Sequence, residues 1–259
     1  MASFIVATVV VVVADYVVSC LHRARAEAPV GDFTDVKVPE GLPSEMVRYS
    51  AFSVSFNPET HTPNYVAWEL TGEHARGKLK RSNKFVADPD VEGSATPEDY
   101  RNSGFDRGHM APAGDMKWSV QAMEESFYMT NIVPQNHELN RGVWNRLEEK
   151  CRQRAASDSA IVIICGPVPG DAVDMRIGYN QVAVPQRFFK VILSPYTNPP
   201  LAIGFILPNG YPKGGMQPYA VSVDKVEEVT GYDFFYQLPD SIENKIESKC
   251  NFNRWSQIH

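Results

Sequence analysis

Two short runs, "SAFSVSFN" (residues 50–57) and "YVAWELT" (65–71), alternate apolar and polar residues with a period of two. That period is the pattern of a half-buried strand, and the intervening "PETHTPN" has the proline and small polar residues of a turn. The pair predicts neighbouring strands. "AIVIICGPV" (160–168), "QVAVPQRFFKVIL" (181–193) and "LAIGFILP" (201–208) are nearly continuous apolar runs bounded by Gly, Pro and Asn, and predict further strands. Between these groups the period changes. Val143, Trp144, Leu147 and Cys151 recur at helical spacing, which predicts an amphipathic helix from Arg141 to about residue 156, with Asn140 as its N-cap. "SVDKVEEVTG" (222–231) reads as a short helix with Gly231 as its stop signal. The mixture predicts one α+β domain over residues 42–259, preceded by a polar, proline-bearing linker at 29–41.

The first 28 residues have a different pattern. "FIVATVVVVVA" (4–14) is apolar apart from Thr8, too short for a confident membrane span but suited to a signal or anchor segment. His22, Arg23 and Arg25 follow the run and no Lys or Arg precedes it, the reverse of an ordinary signal peptide. The expectation is a location outside the cytoplasm, secreted, periplasmic or membrane-attached through this segment, with a mitochondrial leader as the alternative.

Composition narrows the function classes. With 259 residues, 43% of them hydrophobic, the chain can bury a sizeable core. A net charge of −6 argues against holding nucleic acid by bulk charge, though not against a local basic groove. Four cysteines without a C-x-x-C pair make a zinc site or a thioredoxin-like motif improbable, and Cys165 reads as a buried hydrophobe. A serine hydrolase would need a G-x-S-x-G elbow, which is absent.

The chemistry concentrates in "GFDRGHMAPAGDM" (104–116) and in the forty residues or so C-terminal to it. On a strand, Arg107 and His109 project the same way with Gly108 between them, placing a fixed cation beside a titratable base. The next run, "SFYMTNIVPQ" (126–135), predicts a second strand closed by Asn131, and Asn140 opens the helix that carries Glu148 and Arg152. Each has a plain structural alternative: an Arg107–Asp106 pair, an Asn140 cap, a surface Glu148–Arg152 pair at i, i+4. The five cations between Arg76 and Lys84 read equally well as a solvated loop.

"DRGH", "FYMTNIVPQ" and "LNRGVWNRLEEKCR" together resemble the DNA/RNA non-specific endonuclease family, of the Serratia nuclease and endonuclease G type. The resemblance is densest from about residue 81 to 152. It implies a ββα-metal (His-Me finger) core on a larger antiparallel sheet. It also implies a metal-dependent endonuclease that cuts DNA and RNA without sequence preference and leaves 5′-phosphate ends. By resemblance His109 is the general base, and Asn140 is the ligand of one Mg²⁺, with Mn²⁺ as a substitute. Arg107, Glu148 and Arg152 support the phosphate and the metal's water shell, and Asn131 helps to hold them. An upstream cation, Arg81 ahead of Lys84, contacts phosphate. The chemistry agrees: a neutral imidazole can take a proton from water, and amide and carboxylate oxygens suit a hard cation. A non-catalytic, envelope-attached nucleic-acid-binding domain on the same fold is the competing expectation.

Overall fold

A computed structural model describes residues 32–171 and 173–258, and these described residues belong to one compact unit. The N-terminal signal or anchor segment expected at 1–28 lies outside the described residues. Among those described, no helix is long and apolar enough to cross a membrane.

The frame is a seven-stranded sheet in which every pairing is antiparallel: β1 (Glu45–Arg48), β2 (Ser53–Asn57), β3 (Thr62–Thr71), β6 (Ala160–Pro167), β9 (Arg187–Ser194), β10 (Leu201–Pro208) and β11 (Ala220–Val221), in that spatial order. A second, two-stranded sheet pairs β4 (Asp106–His109) with β5 (Ile132–Gln135), and a third pairs β7 (Arg176–Ile177) with β8 (Val182–Ala183). The helices are α1 (Val120–Glu125), α2 (Asn145–Asp158), α3 (Val223–Thr230), α4 (Asp240–Glu247) and α5 (Phe252–Ser256). The architecture is α+β, with the β4–β5 hairpin and α2 forming a ββα unit beside the larger sheet.

The large sheet is buried on both faces, and its strands divide their side chains by parity. Val66, Trp68, Ile161, Ile163, Ile192 and Phe205 point to one core, shared with Trp144, Leu147 and Cys151 of the helical region. Tyr65, Ala67, Val162, Ile164, Val191 and Ala202 point to the other, covered by Val226 and Ile246 from α3 and α4. β2 and β3, expected to be half-buried, are therefore buried almost throughout, because elements outside the local sequence cover their polar positions too. Ser222 caps α3, accepting from the Lys225 amide at 3.1 Å, and Gly231 ends it at φ 72°, as the sequence implies. Within the stretch expected as a linker, Phe33 and Val36 are buried in the second core.

Two expectations for the site region need correction. Asn131 does not close a strand: it ends a 3₁₀ turn (Met129–Asn131), and β5 begins only after it. Asn140 is not the N-cap of a regular helix. It lies within a widened, π-type turn (Leu139–Trp144) broken at Gly142, whose φ of −97° and ψ of −110° are non-helical, and α2 starts at Asn145. The wide turn lets Val143 and Trp144 face the core while Asn140 faces outward.

Candidate active site

β4 sets the two side chains the sequence places on one face. Arg107 and His109 both line a cleft of about 730 Å³, with Gly108 between them. A Cβ on Gly108 would lie 2.2 Å from the buried Gln135 Oε1, so only glycine lets the hairpin close here. His109 is 7% exposed and packs against Phe85 and Phe127, at ring centroid distances of 5.3 and 4.8 Å. The Arg107 guanidinium lies 4.4 Å from the Phe85 centroid, and that of Arg81 5.2 Å from Phe127. Burial, reinforced by the charges of Arg81 and Arg107, pushes His109 down to about 3. The imidazole is thus neutral near pH 7 and able to accept a proton. Its Nε2 is buried without a hydrogen-bond partner.

Across the cleft, the Asn140 amide donates from Nδ2 to Asp106 Oδ2 at 2.9 Å, leaving its Oδ1 available. Asp106 also meets His137 Nδ1 at 3.3 Å and Arg141 Nε at 3.7 Å, so it orients Asn140 rather than pairing with Arg107. Glu148, in the first turn of α2, lines the floor. Burial raises its carboxyl to about 7, and the nearby Asp115 adds repulsion that Lys190 and Arg152 partly offset. An amide oxygen and a desolvated carboxylate facing one cleft are a hard donor set of the kind Mg²⁺ accepts alongside water.

Arg152 does not form the surface pair with Glu148 that was its plain structural alternative. Its Nη1 donates to Asp115 Oδ1 at 2.9 Å, and Asp115, only 1% exposed, accepts from Trp68 Nε1 at 3.1 Å. This pair fixes the guanidinium at the cleft wall. Gly114 leaves room for it, since a Cβ there would lie 2.7 Å from Arg152 Nη1.

Asn131 does not line the cleft. Fully buried, it accepts from the Ala111 amide and donates to the carbonyls of Ala111 and Ser126, all at 2.9 Å. It therefore ties down the backbone two residues after His109. Arg81 lines the cleft but Lys84 does not, and Arg76 turns to the carbonyls of Gly72 and Ala156. Arg81, Arg101, Arg107, Arg141 and Arg152 face the cleft against Glu98, Asp106 and Glu148, which makes it locally basic on an acidic chain.

Sequence reasoning did not find Phe85, Phe127, Asp115 or Arg101. Asp106 and Asp115 stand within the same 104–116 stretch, and their roles depend on partners 34 and 37 residues away. No local signal marks the two phenylalanines.

Comparisons with known proteins agree with this geometry. The sequence profile of the DNA/RNA non-specific endonuclease family matches residues 30–241. The mitochondrial nuclease EXOG of Xenopus laevis is 39% identical over 213 residues, covering 75% of this chain and 59% of that protein. The chain thus spans about three fifths of the length of that relative. The mitochondrial endonuclease G of Bos taurus is 31% identical over 224 residues, 80% of this chain and 75% of the relative. A chain from the crystal structure of the EndoG/EndoGI complex superposes with a TM-score of 0.69 at 29% identity, over 77% of this chain and 89% of that one. Site, fold and similarity lead to one conclusion: the chain belongs to the DNA/RNA non-specific endonuclease family.

Proposed function

We propose that this chain is a metal-dependent endonuclease that hydrolyses DNA and RNA phosphodiester bonds without sequence preference, leaving 5′-phosphate ends. The observation that carries the reading is the convergence, in one basic cleft, of an uncharged His109 with Asn140, Glu148 and Arg152. A bound Mg²⁺, or Mn²⁺ in its place, would be held by Asn140 Oδ1 with Glu148 acting through its water shell, and would supply Lewis-acid stabilisation of phosphate oxygens. His109 takes the proton of the attacking water. Arg107 and Arg152 donate charge-assisted hydrogen bonds to the phosphate, and Arg81 binds the backbone beside it. Contacts of this kind read phosphate and not base edges, which supports cleavage without sequence preference. The attacking water is external to the substrate, so no 2′-hydroxyl is required and either polymer serves.

Because the EXOG relatives and the endonuclease G relative are named as mitochondrial, we place this chain in the mitochondrion in preference to the secreted or envelope-attached alternative. The test of function is incubation of the full chain with plasmid DNA and with RNA, in Mg²⁺ or in EDTA. Both polymers should be cut only with the metal, and His109→Ala should lose roughly 10²–10⁴-fold in rate. Binding without cleavage by the unaltered chain would instead favour the non-catalytic domain.

A further inference from the structure

On the sheet face opposite the cleft, α3 and α4 bring three carboxylates together. Asp224 and Glu227 stand one turn apart on α3, Glu247 is the last residue of α4, and their oxygens lie within 4.8 Å of one another. Acidic residues often cluster on a surface without consequence. Glu247 is different: it is 3% exposed, and its Oε1 is buried with no hydrogen-bond partner. Its charged surroundings are Glu227, Glu243, Asp224 and Asp233, all of its own sign. Lys225, on the same helix as Asp224 and Glu227, pairs with Glu228 at 2.7 Å, and Lys37 pairs with Asp233 at 3.0 Å.

We propose that Asp224, Glu227 and Glu247 form a structural site for a divalent cation of the Ca²⁺ type. A carboxylate buried among carboxylates is costly unless something positive sits between them. Calcium binds oxygen at roughly 2.3–2.6 Å, so two oxygens that share the ion stand no more than roughly 5.2 Å apart, a limit that all three carboxylates meet. Water completes the coordination on the exposed Asp224 side. Glu227 Oε1 is already oriented by the Phe234 amide at 2.8 Å.

The site would clamp α4 onto α3, over the core that contains Val226, Phe234 and Ile246. Most of α4, Glu247 included, lies beyond the stretch matched by the family profile, which ends at residue 241. The clamp therefore belongs to the C-terminal segment and acts on stability, not on the chemistry across the sheet.

The test is thermal unfolding and titration calorimetry of the metal-stripped full chain with Ca²⁺. The midpoint should rise by several degrees, and the rise should persist in Asn140→Ala, which lacks the cleft ligand. Glu247→Gln and Asp224→Asn should weaken Ca²⁺ binding at this site by about tenfold or more. Asp224 is exposed, so its variant keeps the fold, and Mg²⁺-dependent plasmid cleavage should be unchanged in it. No Ca²⁺ response in the unaltered chain, or an equal response in Asp224→Asn and Glu247→Gln, overturns the proposal.

Discussion

Replacing His109 with glutamine, which does not titrate, should expose what its burial costs. The folded protein holds this imidazole at about 3 against an ordinary value of 6.5. A group depressed in this way stays neutral when folded while the unfolded chain takes up a proton. Its contribution is therefore complete above pH 6.5 and drains away as the pH falls toward 3. Each pH step within that window costs up to about 1.4 kcal/mol, so about 2.7 kcal/mol is lost by about pH 4.5. Carboxylates contribute acid-dependent terms as well, but both proteins share them, and they cancel in the difference. Urea unfolding of the wild type and His109→Gln at about pH 7.5 and about pH 4.5 isolates the term. The stability gap should move by about 2.7 kcal/mol in favour of the variant at the lower pH. A gap that stays constant would mean that His109 titrates normally in the fold. The case for a neutral base set up by Arg81, Arg107 and the two phenylalanines would then fail.

Arg152→Met strands Asp115, which is 1% exposed, without its ion-pair partner, and should cost about 3–5 kcal/mol in urea unfolding. Adding Asp115→Asn should recover part of that loss, and no recovery would refute the pairing argument. Glu148 behaves oppositely to His109, since a carboxyl raised to about 7 destabilises the fold as the pH climbs from its ordinary 4.5 past that value. Glu148→Gln should therefore gain about 2–3 kcal/mol at about pH 8 while slowing cleavage, and a variant no more stable than the parent would count against a desolvated carboxylate. In salt titrations of duplex binding by the His109→Ala protein, log affinity should fall against log salt with a slope magnitude of roughly 3–5. Arg81→Ala should reduce it by about one and Lys84→Ala should leave it unchanged, because only Arg81 faces the cleft. Equal effects of the two substitutions would return the Arg76–Lys84 stretch to a diffuse basic loop.

By itself the sequence determined the features that depend on neighbours along the chain. The period-two run at 65–71 is a strand, Ser222 and Gly231 bound their helix, and Arg107 and His109 share a face. All three come from backbone geometry repeating over a few residues. The order D-R-G-H, N-x-x-P-Q and N-x-x-x-W-x-x-L-E carries the family resemblance, and it was that resemblance which implied the ββα unit and its site residues. Tertiary structure decided the rest. Arg152 pairs with Asp115 and not with Glu148 one turn away, because the buried Asp115 carboxylate needs a counter-charge. Asn140 presents its oxygen to the cleft because Asp106, 34 residues earlier, takes its amide protons. His109 is neutral because Phe85 and Phe127 exclude water and two arginines stand near it. Desolvation and charge at a point depend on every group nearby in space, and chain order specifies those groups only through the complete fold.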